Sequence, residues 1–292
     1  MNILLTGAEG FVGRHFIKAL NTNTNIITCI DIKSGDDCRD FFRKDKGGWE
    51  YDLVIHLAAI VGGRELIESD PLAIATDLEI DSAMFNWAVR TKPGKVIYFS
   101  SSAAYPAKLQ EKPHYLKESD LDVTSDVIGR PDFTYGWTKL TGELLAEYAV
   151  RQYGLDVLVV RPFSGYGEDQ DLTYPFPSFI KRVKEKQDPF DIWGDGKQVR
   201  DWIHIDDIVE ATMTAVKENV KGTVNLGNAR PISFTNLAEL MFKEAKWHPA
   251  RINYMTDKPS GVFYRCSDNT KMLEFYKPRI TIEEGIRRAL ST

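Results

Sequence analysis

Asn2-Ile3-Leu4-Leu5-Thr6-Gly7-Ala8-Glu9-Gly10-Phe11-Val12-Gly13 opens the chain as a short apolar run followed by three glycines at intervals of three. The run reads as a buried strand, and Phe11 to Leu20 continues with helical spacing. Gly7 permits a tight turn, Gly10 lets backbone approach a pyrophosphate, and Gly13 lets helix and strand pack closely. Phe11 and Val12 lie in the first helical turn, where free N–H groups and the positive end of the helix dipole attract an anion. Further apolar runs follow at Asn25 to Ile32, Asp52 to Ala59, Val96 to Ser100 and Val157 to Arg161. Between them, Leu72 to Arg90 and Phe133 to Tyr153 read as helices. Strands alternating with helices predict an α/β fold, a parallel sheet covered on both faces. Right-handed crossovers make that sheet doubly wound.

The second strand ends at Asp31. A carboxylate there accepts both hydroxyls of a ribose and repels a 2′-phosphate, which favours NAD over NADP. Lys33 is a nearby cation that would offset the repulsion. Asp37-Cys38-Arg39 reads as the end of a short strand at the adenine, with Asp37 accepting from the adenine amino group. Leu57, Ala58 and Ala59 end what then reads as the fourth strand, and the two small residues let a dinucleotide lie close to the sheet.

Past Arg161 the rhythm changes. Residues 164–200 are rich in Pro, Gly, aromatics and charge, 201–228 return to strand and helix patterns, and from Arg230 the chain is irregular with two helices. We expect a nucleotide-binding domain of 1–163 with 201–228 returning to it. A smaller C-terminal substrate-binding lobe would come from 164–200 and 229–292, with a ligand in the cleft between.

The 292 residues suffice for a large core, and 43% hydrophobic with 27% charged residues is an ordinary globular composition. A net charge of -5 speaks against nucleic acid as a partner. Cys29, Cys38 and Cys266 are scattered, so neither a disulfide framework nor a zinc site follows, and no metal is expected. No run is apolar enough to span a membrane, and no basic region precedes an apolar stretch at the start. A cytoplasmic protein is expected.

Tyr135-Gly136-Trp137-Thr138-Lys139 places a phenol and an ammonium one turn apart on a helix face. The ammonium stabilises a phenolate and lowers a tyrosine pKa that is ordinarily about 10, which makes the phenol a general base for a hydroxyl. Ser100-Ser101-Ser102-Ala103-Ala104-Tyr105 follows a central strand, whose C-terminal end points hydroxyls into the ligand crevice of such sheets. His56 and His204 lie in apolar strand patterns and read as structural.

Taken together, these stretches resemble the extended short-chain dehydrogenases/reductases of the NAD-dependent nucleotide-sugar epimerase and dehydratase group. The likeness extends over Thr6 to Gly13, His56 to Ala59, the serine strand, Tyr135 to Lys139, Arg161-Pro162, Trp193 to Gly196 and Arg200 to Asp207. It implies a Rossmann-type fold, an isomerase or oxidoreductase and a nucleotide-diphosphate sugar as substrate. Tyr135 is then the base, Lys139 holds the nicotinamide ribose, and Ser101 bonds the sugar 4-hydroxyl. Leu57, Ser100 and Pro162 join the cofactor contacts, and Ser102 the substrate contacts. The resemblance also implies a homodimer through the helices near 72–90 and 133–153, which carry Met84, Phe85, Trp87, Leu144, Leu145 and Tyr148.

Relatives that dehydrate carry Asp-Glu where this chain has Ser102-Ala103, and 3,5-epimerases use a cysteine where it has Ala103. What needs no further acid is oxidation at C4, rotation of the keto sugar and return of the hydride, which is 4-epimerisation. Net redox at C4, 3,5-epimerisation with reduction of the GDP-sugar type, and a non-catalytic dinucleotide sensor are the alternatives. At the substrate end, Arg200 and Arg265 are expected on the diphosphate, because guanidinium binds phosphate oxygens in pairs. Trp193 or Phe179 would stack on the base. Ser164 and Asp77 stand where relatives usually have asparagine.

Overall fold

The computed structural model describes residues 1–45, 47 and 50–292. In chain order the first half runs β1 (Asn2–Thr6), α1 (Phe11–Leu20), β2 (Ile26–Ile30), α2 (Cys38–Lys44), β3 (Leu53–His56), α3 (Arg64–Ser69), α4 (Pro71–Thr91), β4 (Lys95–Phe99), β5 (Tyr115–Leu116) and α5 (Phe133–Tyr153). There follow β6 (Val157–Pro162), β7 (Ser164–Tyr166), α6 (Pro175–Lys184), β8 (Phe190–Trp193), β9 (Val199–His204), α7 (Ile205–Lys217) and β10 (Gly222–Leu226). The chain closes with β11 (Pro231–Ser233), α8 (Phe234–Ala245), β12 (Ile252–Met255), β13 (Tyr264–Ser267), α9 (Thr270–Leu273) and α10 (Ile282–Ser291).

Among the described residues, β10-β6-β4-β3-β1-β2 form a six-stranded parallel sheet, consistent with a Rossmann-type doubly wound fold. Its central strands β3, β4 and β6 are buried on both faces, which is why they read as continuous apolar runs. Ile3, Leu5, Ile55, Ile97 and Leu158 pack with α1 and α7 in one core, and Leu4, Val54, Val96 and Val159 pack with α2, α4 and α5 in another. A second sheet, β11-β9-β13-β5 with β7 beside β9, lies over the C-terminal edge, and β8 pairs with β12. Of residues 201–228, β9 pairs in the second sheet while β10 pairs in the first. No helix of the described residues is long and apolar enough to cross a membrane.

Two expectations change. Asp37 does not end a strand. It caps α2, accepts from Arg39 N at 2.9 Å and is held by the Arg39 guanidinium at 2.6 Å. An arginine two residues along the chain satisfies the carboxylate that was expected to meet adenine. Leu57 to Ala59 therefore follow the third strand, not a fourth. Cys38 turns its thiol into the core, where burial pushes its pKa up to about 12. Of the expected interface residues, Met84, Phe85 and Trp87 are buried in the α4 core, because an apolar helix face serves the sheet first.

Candidate active site

The glycine loop is built for close approach. Gly7 has φ +70°, and a Cβ there would meet Ala58 N at 2.8 Å; a Cβ on Gly13 would meet Gly7 O at 2.2 Å. Gly10 caps α1 without a side-chain bond, so the first-turn N–H groups remain for an anion. Asp31 braces this loop from β2. Its Oδ2 accepts from Glu9 N at 2.8 Å and its Oδ1 from Lys33 N at 2.9 Å. Each oxygen keeps a lone pair for a ribose hydroxyl. Lys33 sends its ammonium back to Glu9 O at 3.4 Å. Phe11, Val12, Leu57, Ala58, Ala59 and Pro162 are all partly buried around the loop and the ends of β3 and β6. These residues fit a dinucleotide.

At the end of β4, Ser101 caps a short turn by accepting from Ala103 N at 3.1 Å, and its hydroxyl lies near enough to the Tyr135 phenol to lower its pKa. Gly136 brings the two together, since a Cβ there would lie 2.5 Å from Ala103 O. Ser102, Ala103 and Ala104 are buried in that turn. Ser100 gives its hydroxyl to Glu143 Oε1, so only its backbone is left for a cofactor.

Lys139 lies one turn beyond Tyr135, its Nζ 5.9 Å from the Tyr135 ring centroid and 5.4 Å from that of Tyr98. The sequence implied a phenol brought down toward neutrality. Instead, burial pushes the Tyr135 phenol above its ordinary value; Lys139 and the nearby Ser101 hydroxyl pull it down, but Asp77 and Asp81 add to the rise. Burial would also lower the Lys139 ammonium, but Asp81, Tyr135, Asp77 and Glu143 outweigh it and hold the pKa above the ordinary lysine value.

Two acids on α4 account for much of this. Asp81 accepts from Tyr98 OH at 2.5 Å and meets His56 Nε2 at 3.2 Å. Asp77 is fully buried; its Oδ1 accepts from Ile60 N at 2.6 Å and its Oδ2 has no partner among the described residues. Burial pushes its carboxyl up to about 6, against the pull of Lys139 and the Ile60 N–H. Acids at 77 and 81 inside the apolar stripe Ile74, Ile80, Met84 were the sequence signal for this pair.

At the other end of the cleft three arginines gather. Arg265 donates Nε to Gln110 Oε1 at 2.6 Å and Nη2 to Asp132 at 2.8 Å, and Arg64 reaches the same carboxylate at 2.8 Å. Burial would raise Asp132, yet Arg265 and Arg64 outweigh it and hold its carboxyl below the usual range. Among the described residues Arg200 hydrogen-bonds only to carbonyls, including Val199 O at 2.7 Å and Val262 O at 2.9 Å. A side chain at Gly261 would lie 3.3 Å from Arg200 Nη2 and 3.5 Å from Arg64 Nη1, so these cations face each other. Burial, with Arg265 and Arg64 nearby, pushes Arg200 down to about 9. A guanidinium does not release its proton there, so like charges crowd together at this point.

Arg64 and Asp132 escaped sequence reading because one follows two glycines in a loop and the other resembles an ordinary helix cap. Ser164 is half-buried on β7, and Trp193 ends β8 with Lys258 Nζ 5.8 Å from its ring centroid. Phe179 is buried in the lobe core and is removed as a stacking partner. His56 and His204 are buried and hydrogen-bonded.

Comparison with known proteins gives the same picture. The model of the NAD dependent epimerase/dehydratase family matches residues 3–227. GDP-mannose 3,5-epimerase 1 of Oryza sativa subsp. indica is 29% identical, with 98% of this chain and 80% of that protein covered. UDP-glucuronate 4-epimerase of Thermodesulfobacterium geofontis is 31% identical over 90% of this chain and 77% of its own length. Among solved structures, UDP-glucuronic acid 4-epimerase from Bacillus cereus in complex with UDP-glucuronic acid and NAD has a TM-score of 0.83 at 26% identity, covering 100% of this chain and 98% of that one. The chain belongs to the NAD-dependent epimerase/dehydratase family.

Proposed function

We propose that the chain is an NAD-dependent 4-epimerase of a nucleotide-diphosphate sugar. The observation that carries this reading is Tyr135 beside Ser101, with Lys139 one turn along α5 and small residues, Ser102, Ala103 and Ala104, in the turn after Ser101. NAD, when bound, accepts the hydride from C4 of the sugar and returns it. Tyr135 takes the C4 hydroxyl proton as the hydride leaves and gives it back afterwards. Ser101 holds the same oxygen, and Lys139 offsets the charge that develops on the phenol. Alanine at 103 and 104 can neither expel water nor move a proton at C3 or C5, and it leaves room for the keto sugar to turn. Arg200, Arg265 and Arg64 take the diphosphate, whose charge answers the crowding of their guanidiniums. A homodimer through the outward faces of α4 and α5, where Leu78, Trp137 and Tyr148 are exposed, and a place in the cytoplasm complete the reading.

A panel of GDP-, UDP- and dTDP-sugars, followed by NMR, tests it. One of them is expected to yield the C4-inverted sugar, and Tyr135→Phe lowers turnover by about 10²–10⁴-fold with NAD still bound. Normal turnover in that variant sinks the mechanism. Stoichiometric keto sugar with reduced cofactor replaces epimerisation by net oxidation at C4.

A further inference from the structure

We propose that Asp77 is the counter-charge that biases the bound cofactor toward its oxidised, cationic form, keeping the keto sugar scarce between the two hydride transfers. This rests on the reading of Tyr135 as the base of a hydride-transfer site.

A buried carboxylate oxygen without a partner is unusual and costly, and Asp77 Oδ2 is one among the described residues. The charges around it do not balance. Asp81, one turn along α4, is satisfied by Tyr98 of β4 and His56 of β3. His56 Nδ1 meets Thr6 Oγ1 at 2.8 Å, so both ring nitrogens are engaged within the chain. Glu143 of α5 is paired with Arg161 at 2.5 Å. Lys139 thus acts on two carboxylates, Asp77 and Asp81, and among the described residues Asp77 has no ion-pair partner of its own.

An oxidised nicotinamide ring carries one positive charge and a reduced one carries none. In the step concerned the C4–H bond of the sugar breaks and its electron pair passes to the ring as hydride. The hydroxyl proton goes to Tyr135, the sugar is oxidised, and the ring loses its charge. The ring must lie beside the carbon that Tyr135 serves, and the Asp77 charge is felt at Tyr135. Ile60, which fixes the other Asp77 oxygen, directly follows the Leu57–Ala59 segment expected along the dinucleotide. A carboxylate so placed opposes the loss of charge. The hydride then returns to the sugar sooner than reduced cofactor can escape, which separates an epimerase from a net oxidoreductase.

The test is the ratio of NAD+ to NADH affinity, measured by calorimetry on cofactor-free protein without any sugar. Asp77→Asn keeps the shape and an acceptor for Ile60. It is expected to lower the ratio about tenfold, the scale of one nearby charge in a partly screened site. Asp77→Ser, which removes the charge and leaves space, must move the ratio the same way. A ratio unchanged in both, or equal losses for both cofactor forms, overturns the proposal. A shifted ratio in a protein that turns over no nucleotide sugar leaves the counter-charge standing and rejects the 4-epimerase reading.

Discussion

Helix α5 buries two charged side chains one turn apart, Lys139 and Glu143, and their surroundings differ. Glu143 is answered wholly within the chain. It takes the Ser100 hydroxyl and two Arg161 nitrogens, at 2.9 and 2.5 Å, while Arg161 also donates to Tyr105 OH and to the carbonyls of Glu118 and Leu121. Tyr105 in turn donates to Asn225 Oδ1 at 2.7 Å. Lys139 instead faces two rings and two carboxylates, one of which keeps a free oxygen. Both regions are buried and charged. The closed one ties β4, β6, β10 and α5 together; the open one leaves a carboxylate oxygen without a partner among the described residues. An unmet electrostatic demand, more than burial or charge itself, distinguishes a site from a strut.

Three substitutions break or sharpen this contrast. The largest effect is expected at the closed end. Glu143→Gln leaves Arg161 as a buried charge without its partner, and stability falls by about 3–5 kcal/mol in chemical denaturation. A loss below about 1 kcal/mol would show that the network is not closed.

At the open end the sign reverses. Folding raises the Asp77 pKa from 3.8 to about 6, so the folded state holds that proton more tightly. The stability from this binding is fully present below about pH 4 and is lost as pH rises through about 6. Asp77→Asn removes the charge, so the cofactor-free protein should gain as much as about 3 kcal/mol near pH 8 and almost nothing near pH 4. A variant that is less stable than the parent at both pH values contradicts the Asp77 environment described here.

The smallest effect concerns rate. Lys139 lowers the proton affinity of Tyr135, so Lys139→Met moves the alkaline rise of kcat upward by about one to two pH units. A pH profile of kcat that keeps its position would detach the ammonium from the phenol.

Much of the frame was legible because its signals are local. Helices at Phe11–Leu20 and Phe133–Tyr153 follow from periodicity, capping and glycine placement, and the strands of the first sheet from short apolar runs. The second sheet was not legible. Tyr115 and Leu116 pair with Cys266 and Ser267, and two residues carry no period to detect. The strand expected to end at Asp37 was misread for a related reason, since whether a short segment caps a helix or joins a sheet depends on tertiary pairing that spacing does not specify.

The sequence by itself determined the strands and helices of most of the first sheet, the glycine cradle and the spacing of Tyr135, Lys139 and Ser101, since each depends on residue type and short-range spacing. Only the tertiary structure decided the electrostatics. It set burial against Lys139 at Tyr135, placed Asp132 between Arg64 and Arg265, and left one oxygen of Asp77 unanswered. Those outcomes depend on distance and on exclusion of water, and residues far apart in the chain supply both.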